Sequence, residues 1–176
     1  MDYRIQKTKS SICNAFIALR SKKTLEKITV KELCELARIN KSTFYAHYLD
    51  IYDLSDKIES EITAEIMNQI DIEDVLKKPS GLPKELSLLW TAQKSLISII
   101  FSGSRTEQLP KKVLSTILTQ LNEKHPEFAD NAKLRIMLTY CVYGGYYAFN
   151  ENQSCSDELM LETLGEISAR IAFDEN

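Results

Sequence analysis

The side chains best suited to chemistry are concentrated between residues 29 and 48, and that chemistry is hydrogen bonding to anions. Hydroxyl and cationic groups recur there at short intervals, beside the Tyr45 phenol and the His47 imidazole, which also donate hydrogen bonds. Side chains of these types bind the phosphate and sugar oxygens of nucleic acids. The residues expected to make such contacts are Thr29, Lys31, Lys41, Ser42, Thr43, Tyr45 and His47.

Four of these residues also have a plain structural interpretation. Helix capping could be the sole role of Thr29, and Lys31 could be a solvated surface charge. Tyr45 could belong to the core, and His47 could be an ordinary surface residue.

Catalysis has no comparable group of residues. The only histidines, His47 and His125, have no cysteine or acidic cluster near them, and no glycine-rich phosphate loop is present. We therefore predict no enzyme activity, no catalytic residue, no cofactor and no metal site. The four cysteines lack a Cys-x-x-Cys pair, which favours buried, reduced thiols over a thiol sensor: Cys13, Cys34, Cys141 and Cys155.

Charge is divided unevenly along the 176-residue chain. Residues 1–54 carry ten Lys and Arg against six Asp and Glu, a net charge of +4, whereas the remainder carries −7. A basic module on an acidic body concentrates the attraction for phosphate at one end. The sequence has no signal peptide and no run of about 18 apolar residues, so we expect a cytoplasmic protein that does not associate with membranes.

Helical patterns position the anion-binding side chains. A capping box, Thr29-Val30-Lys31-Glu32, predicts the start of a short helix, because the Thr hydroxyl and the Glu carboxylate each satisfy an amide of the first turn. A preceding helix is predicted by one apolar stripe: Ile5, Ile12, Phe16 and Leu19.

A second short helix is predicted to follow a three-residue turn. Arg38-Ile39-Asn40 interrupts the pattern, and Asn40 is a suitable N-cap for a helix that begins at Lys41. Ile39 and Phe44 have the spacing of a hydrophobic staple. With Phe44 and Tyr48 packed inward, this order of elements presents the second helix to a DNA groove.

The segment from Thr29 to Tyr48 resembles the helix-turn-helix of the TetR family of bacterial transcriptional regulators. The similarity is strongest in Ser42-Thr43-Phe44-Tyr45-Ala46-His47-Tyr48, with Asp50 and Leu54 following, and it extends from about Ile5 to Lys57. It implies that the seven residues named above contact DNA. Two departures are present. Many members have Gly where this chain has Arg38, so the turn is expected to accommodate a side chain in a strained conformation. Many members also have Lys where this chain has Ile51. One phosphate contact is therefore expected to be missing.

The resemblance implies an all-α fold with two domains. Residues 1–54 are expected to form the three-helix DNA-binding domain, and residues 55–176 a helical effector-binding and dimerisation domain. Helices are predicted over about 50–70, 84–102, 107–124, 127–152 and 156–173. Aromatic residues could line an effector pocket, although ordinary core packing is favoured for any one of them: Trp90, Phe101, Tyr140, Tyr143 and Tyr147.

Two adjacent glycines mark the helix predicted at 127–152. Each costs about 1 kcal/mol relative to Ala inside a helix, so a close approach of another helix or a ligand is expected there. The segment also resembles the penultimate helix of one TetR subgroup, which implies a four-helix dimer interface from about 130–152 and 156–173. The expected interface residues are Gly144, Gly145, Leu164, Ile167 and Ile171.

The expected function is that of a homodimeric repressor. A two-fold dimer would read a near-palindromic double-stranded DNA operator and be released by an unknown small-molecule effector. The alternative is a TetR-like coactivator or adaptor whose C-terminal body binds a protein partner.

Overall fold

The computed structural model describes residues 3–170, and that range is predominantly helical, with no β-strand in it. This confirms the all-α expectation. The ten α-helices of the described range are α1 Tyr3–Arg20, α2 Val30–Ala37, α3 Lys41–Tyr45, α4 Ile51–Met67, α5 Ile72–Lys77, α6 Leu82–Ala92, α7 Lys94–Ile100, α8 Gln108–Lys124, α9 Ala132–Glu151 and α10 Asp157–Arg170.

The observed helices differ from the predicted ones in three main respects. The segment predicted as one helix over 84–102 is two, because Gln93 leaves the helical conformation (φ −108°, ψ 14°) between α6 and α7. α9 begins only at Ala132, since Pro126–Phe128 forms a separate 3-10 turn and the Asn131 side chain caps the new helix at the Leu134 amide (3.0 Å). The short helix α5, capped by Asp71, was not predicted.

The chain divides into two compact units. The first comprises residues 1–62 and 95–107, and the second comprises residues 63–94 and 108–176. The first unit therefore includes, besides the predicted module of residues 1–54, residues 55–62 of α4 and the separate segment of residues 95–107. Its fully buried apolar side chains include Ile12, Phe16, Leu33, Phe44 and Leu54, together with Ile100 from the later segment.

Two arginines attach the later segment to α1 and α4 within the first unit. Arg20, buried at the end of α1, donates to the Ile100 carbonyl (3.3 Å) and to the Ser102 carbonyl and hydroxyl (3.1 and 2.6 Å). Arg105 forms a bidentate pair with Glu59 of α4, with Nε–Oε1 2.7 Å and Nη2–Oε2 2.6 Å. Residues 100–105 are thus a structural component of the first unit.

The second unit is built around α6, α8, α9 and α10. Trp90 of α6 is buried, 5.6 Å in edge-to-face geometry from Tyr146 and 5.9 Å from Phe149 of α9. Gly145 explains the close packing of these helices, because a Cβ there would lie 3.3 Å from Pro83 Cβ. The close approach expected at this glycine is therefore made by α6 of the same chain.

A histidine between two carboxylates joins α5 to the turn after α8, which corrects the expectation that His125 has no acidic group near it. His125 Nε2 lies 2.7 Å from Glu73 Oε1, and its Nδ1 lies 3.0 Å from Glu127 Oε1. Glu127 and then Glu73 raise the pKa of His125 above its ordinary value, because both hydrogen bonds favour the imidazolium.

This arrangement predicts a pH-dependent contribution to stability. Because the pKa of His125 is raised in the folded state, the stabilisation by its charged side chain is complete below the unfolded-state pKa of about 6.5. This stabilisation is lost as the pH rises through the folded-state pKa. His125→Gln keeps one hydrogen bond without the charge, so it should lower the melting temperature at about pH 5.5 more than at about pH 8.5. Equal losses at both pH values, measured by circular dichroism, would contradict the prediction.

Candidate nucleic-acid interface

The start of α2 is fixed by the predicted capping box. Glu32 N donates to Thr29 Oγ1 (3.3 Å), and Thr29 N donates to Glu32 Oε1 (2.7 Å). Lys23 also pairs with Glu32 (2.5 Å), and this hydrogen bond is the main reason that the pKa of Glu32 is lowered. Thr29 is exposed and its hydroxyl accepts only the amide, so the hydroxyl proton is available to an outside acceptor.

The turn between α2 and α3 contains a left-handed arginine. Arg38 has φ 55° and ψ 46°, and it is the one non-glycine residue with positive φ in the described part of the chain. Its amide donates to the Cys34 and Glu35 carbonyls, which ends α2 as a glycine would. A side chain in this conformation costs about 1–2 kcal/mol, and the turn accommodates it as expected from the sequence.

Asn40 occupies the N-cap of α3 but does not cap it with its side chain. Its backbone is extended and its carbonyl accepts from Phe44 N (3.1 Å), whereas the side chain receives no hydrogen bond from the α3 amides. The prediction of a side-chain cap at Asn40 was therefore wrong. Because Asn40 is exposed, water can satisfy both its amide group and the first amides of α3.

α3 separates an apolar face from a polar one. Phe44 is fully buried and Tyr48, just after the helix, is also buried, with ring centroids 5.6 Å apart. This confirms the predicted inward packing, and burial raises the pKa of Tyr48 to about 12. Tyr45 is 56% exposed, which excludes a core position for it. Of the other candidate contact residues, Lys31, Lys41 and Ser42 are exposed, and Thr43 and His47 are half-buried.

The first turn of α4 carries no cation. Ile51, which stands where many TetR members have Lys, is buried at the first position of α4. Lys57, two turns further on, extends back to the end of the α3 segment, where its Nζ lies 3.3 Å from the His47 carbonyl oxygen. Asp53 holds the same ammonium at 2.8 Å. Lys57 was not predicted as a site residue, although its i, i+4 spacing from Asp53 indicates an ion pair on the surface of α4.

The residues proposed from the sequence to line an effector pocket are in different surroundings. Trp90 is buried against Tyr146 and Phe149, and Tyr143 is half-buried. Tyr140 and Tyr147 are 58% and 42% exposed. Phe101 is buried and belongs to the first unit, whereas the other four belong to the second.

The proposed interface residues are likewise divided. Gly144 and Ile167 lie on the surface, and Leu164 is buried, as is Gly145 under Pro83. Ile171 lies outside the described residues. Sequence reasoning missed a row of exposed apolar side chains along one face of α9, which the spacing i, i+4, i+11 could have indicated: Ile136, Tyr140 and Tyr147.

Within residues 3–170 no cysteine forms a disulfide, and three of the thiols lie where the thiolate is disfavoured. The expectation of buried thiols holds at Cys34 and Cys141, whereas Cys13 is half-buried and Cys155 is exposed. Burial raises the pKa of Cys13 and Cys34 and raises that of Cys141 to about 11. Over residues 3–170, the His, Cys, Asp and Glu side chains form no group able to hold a metal ion. Within the same range, every helix is too short or too polar to cross a bilayer.

No protein-family model matches the sequence, and no curated protein is significantly similar to it. The geometry of the chain is therefore the basis for proposing a function.

Proposed function

We propose that this chain is a DNA-binding transcriptional regulator of the TetR type, acting as a homodimeric repressor that a small-molecule effector releases from its operator. The observation that carries the proposal is the two-sided character of α3. Phe44 and Tyr48 anchor it in the core of the first unit, while Lys41, Ser42 and Tyr45 are exposed. A short helix anchored in this way offers cationic and hydroxyl donors to a DNA groove.

α2 supplies further donors for the same surface. Its capped first turn holds the Thr29 hydroxyl, and Lys31 is exposed at the second position of the helix. The net charge of +4 in residues 1–54 strengthens the attraction for phosphate in a chain that is acidic overall.

The exposed row on α9 supports a homodimer. Ile136, Tyr140 and Tyr147 form an apolar strip with Gly144 between them, and α10 adds exposed Leu159 and Ile167. Apolar strips of this kind mark protein interfaces. Two-fold pairing would set two copies of α3 about 34 Å apart along a near-palindromic operator.

The same strip favours one second candidate, a coactivator or adaptor that binds another protein. Tyr140 and Tyr147 present their rings to solvent, as a protein-binding surface does. A chain that is monomeric in light scattering and captures one stoichiometric partner protein would favour the adaptor over the homodimeric repressor.

Reversing two charges tests DNA binding directly. Lys31→Glu with Lys41→Glu should reduce affinity for DNA selected by the wild-type chain by about 100-fold, because two phosphate contacts become repulsive, at about 1–3 kcal/mol each. Both residues lie in helix first turns, where glutamate favours the helix, so folding should be unaffected.

The matched control is Lys94→Glu with Lys111→Glu. These lysines are also exposed near helix starts, in α7 and α8, and their reversal changes net charge equally. Fluorescence anisotropy should show near-wild-type binding for the control. Failure of the wild-type chain to enrich any duplex from a random pool, or equal losses in both double variants, would contradict the proposal.

A further inference from the structure

We propose that Lys57 supplies the DNA-phosphate contact that the sequence lacks at position 51; this inference rests on the proposed function. Ile51 is buried, so the first turn of α4 presents no cation to DNA. Lys57 stands six residues later on the same helix, and its side chain extends toward the polar end of α3. The cation is thus supplied from a different turn of α4.

The position of the ammonium group is well determined by its neighbours. Lys57 Nζ lies 3.3 Å from the His47 carbonyl oxygen and 5.2 Å from the centroid of the buried Tyr48 ring. Asp53 accepts from it at 2.8 Å and also accepts from Leu49 N at 2.9 Å. These contacts hold the charge beside His47, one of the residues expected to contact DNA.

One donor of the ammonium is left for an outside acceptor. A lysine ammonium has three N–H groups, and the described residues accept from two of them, through Asp53 and the His47 carbonyl. The side chain is about half exposed, so a phosphate oxygen can approach it. Asp53 lowers the gain from such a contact, because its carboxylate partly neutralises the same charge.

A purely structural role for Lys57 makes a different prediction. If Lys57 only braces the turn after α3, its removal would weaken binding without changing the number of phosphates contacted. The dependence of affinity on salt separates the two roles, since each phosphate contact adds about 0.9 to the slope of log K against log salt.

The test compares Lys57→Gln, Lys57→Arg and the exposed-site control Lys111→Gln. Binding to a fluorescent mixed-sequence duplex of about 30 base pairs is measured by anisotropy between about 50 and about 200 mM salt. Lys57→Gln should reduce the slope by about 0.9 per bound chain, so the factor by which its affinity falls over this range should be about threefold smaller than the factor for the wild type. Lys57→Arg and Lys111→Gln should retain the wild-type slope.

Asp53→Asn provides an independent arm. The amide oxygen still accepts from Leu49 N, but the negative charge is gone, so DNA affinity at low salt should rise several-fold. The rise should vanish in the double variant with Lys57→Gln. A folded Lys57→Gln protein with the wild-type slope overturns the inference alone, whereas a wild-type chain that does not bind the duplex overturns the proposed function with it.

Discussion

Replacing Arg105 by Met is expected to lower the free energy of unfolding of the first unit by about 3–5 kcal/mol. Glu59 is 0% exposed and receives both guanidinium hydrogen bonds as well as one from the Ser55 hydroxyl (2.6 Å). The hydrogen bond to Glu59 raises the pKa of Arg105 above its ordinary value, so the guanidinium stays charged. The Arg105→Met variant would leave a carboxylate buried without its guanidinium, and that desolvation cost dominates.

A second substitution distinguishes charge burial from lost packing. Arg105→Met combined with Glu59→Leu should recover most of the loss, because an apolar pair of similar volume has no charge to desolvate. Lys77→Met is the surface control, since its ion pair with Asp74 is 3.9 Å long and mostly exposed, and it should cost less than about 1 kcal/mol. Amide hydrogen exchange of α1 and α4 measures the change locally. A loss below about 1 kcal/mol for Arg105→Met would show that the pair is not a stabilising contact.

Replacing Phe44 by Ala is expected to cost about 3–5 kcal/mol and to abolish DNA binding. Phe44 is fully buried, and its ring contacts those of Tyr45 and Tyr48 at centroid distances of 5.4 and 5.6 Å. α3 has only five residues, too few to be helical without tertiary packing. Losing this ring therefore removes both core volume and the anchor that orients the exposed face.

Phe44→Leu is the matched control, because it keeps most of the apolar volume and should therefore cost less than Phe44→Ala and retain binding. Hydrogen exchange of α3 and DNA anisotropy are measured on the same samples. If Phe44→Ala bound DNA like the wild type, the contacts would have to come from α1 or α2, and the proposed role of α3 would be wrong.

Structural elements that depend on near neighbours could be predicted from the amino-acid sequence. The capping box at Thr29 and Glu32 was predictable because its partners are three residues apart and reach each other in any helix start. Inward packing of Phe44 and Tyr48 followed from their i, i+4 spacing, and the strained turn at Arg38 from the absence of glycine there. Side-chain capping by Asn40 was the exception, since an exposed cap has water as a competing partner.

The distant residues that join the first unit could not be predicted in this way, because they meet only through long-range packing. Arg105 and Glu59 are separated by 46 residues, and Arg20 and Ser102 by 82, so no local pattern relates them. The close contact of Gly145 with Pro83 also joins distant residues. The lack of space for a Cβ at Gly145 becomes evident only when α6 and α9 are packed together. The residue pattern of a helix indicates which face is apolar, whereas the partner of that face depends on packing across the whole unit.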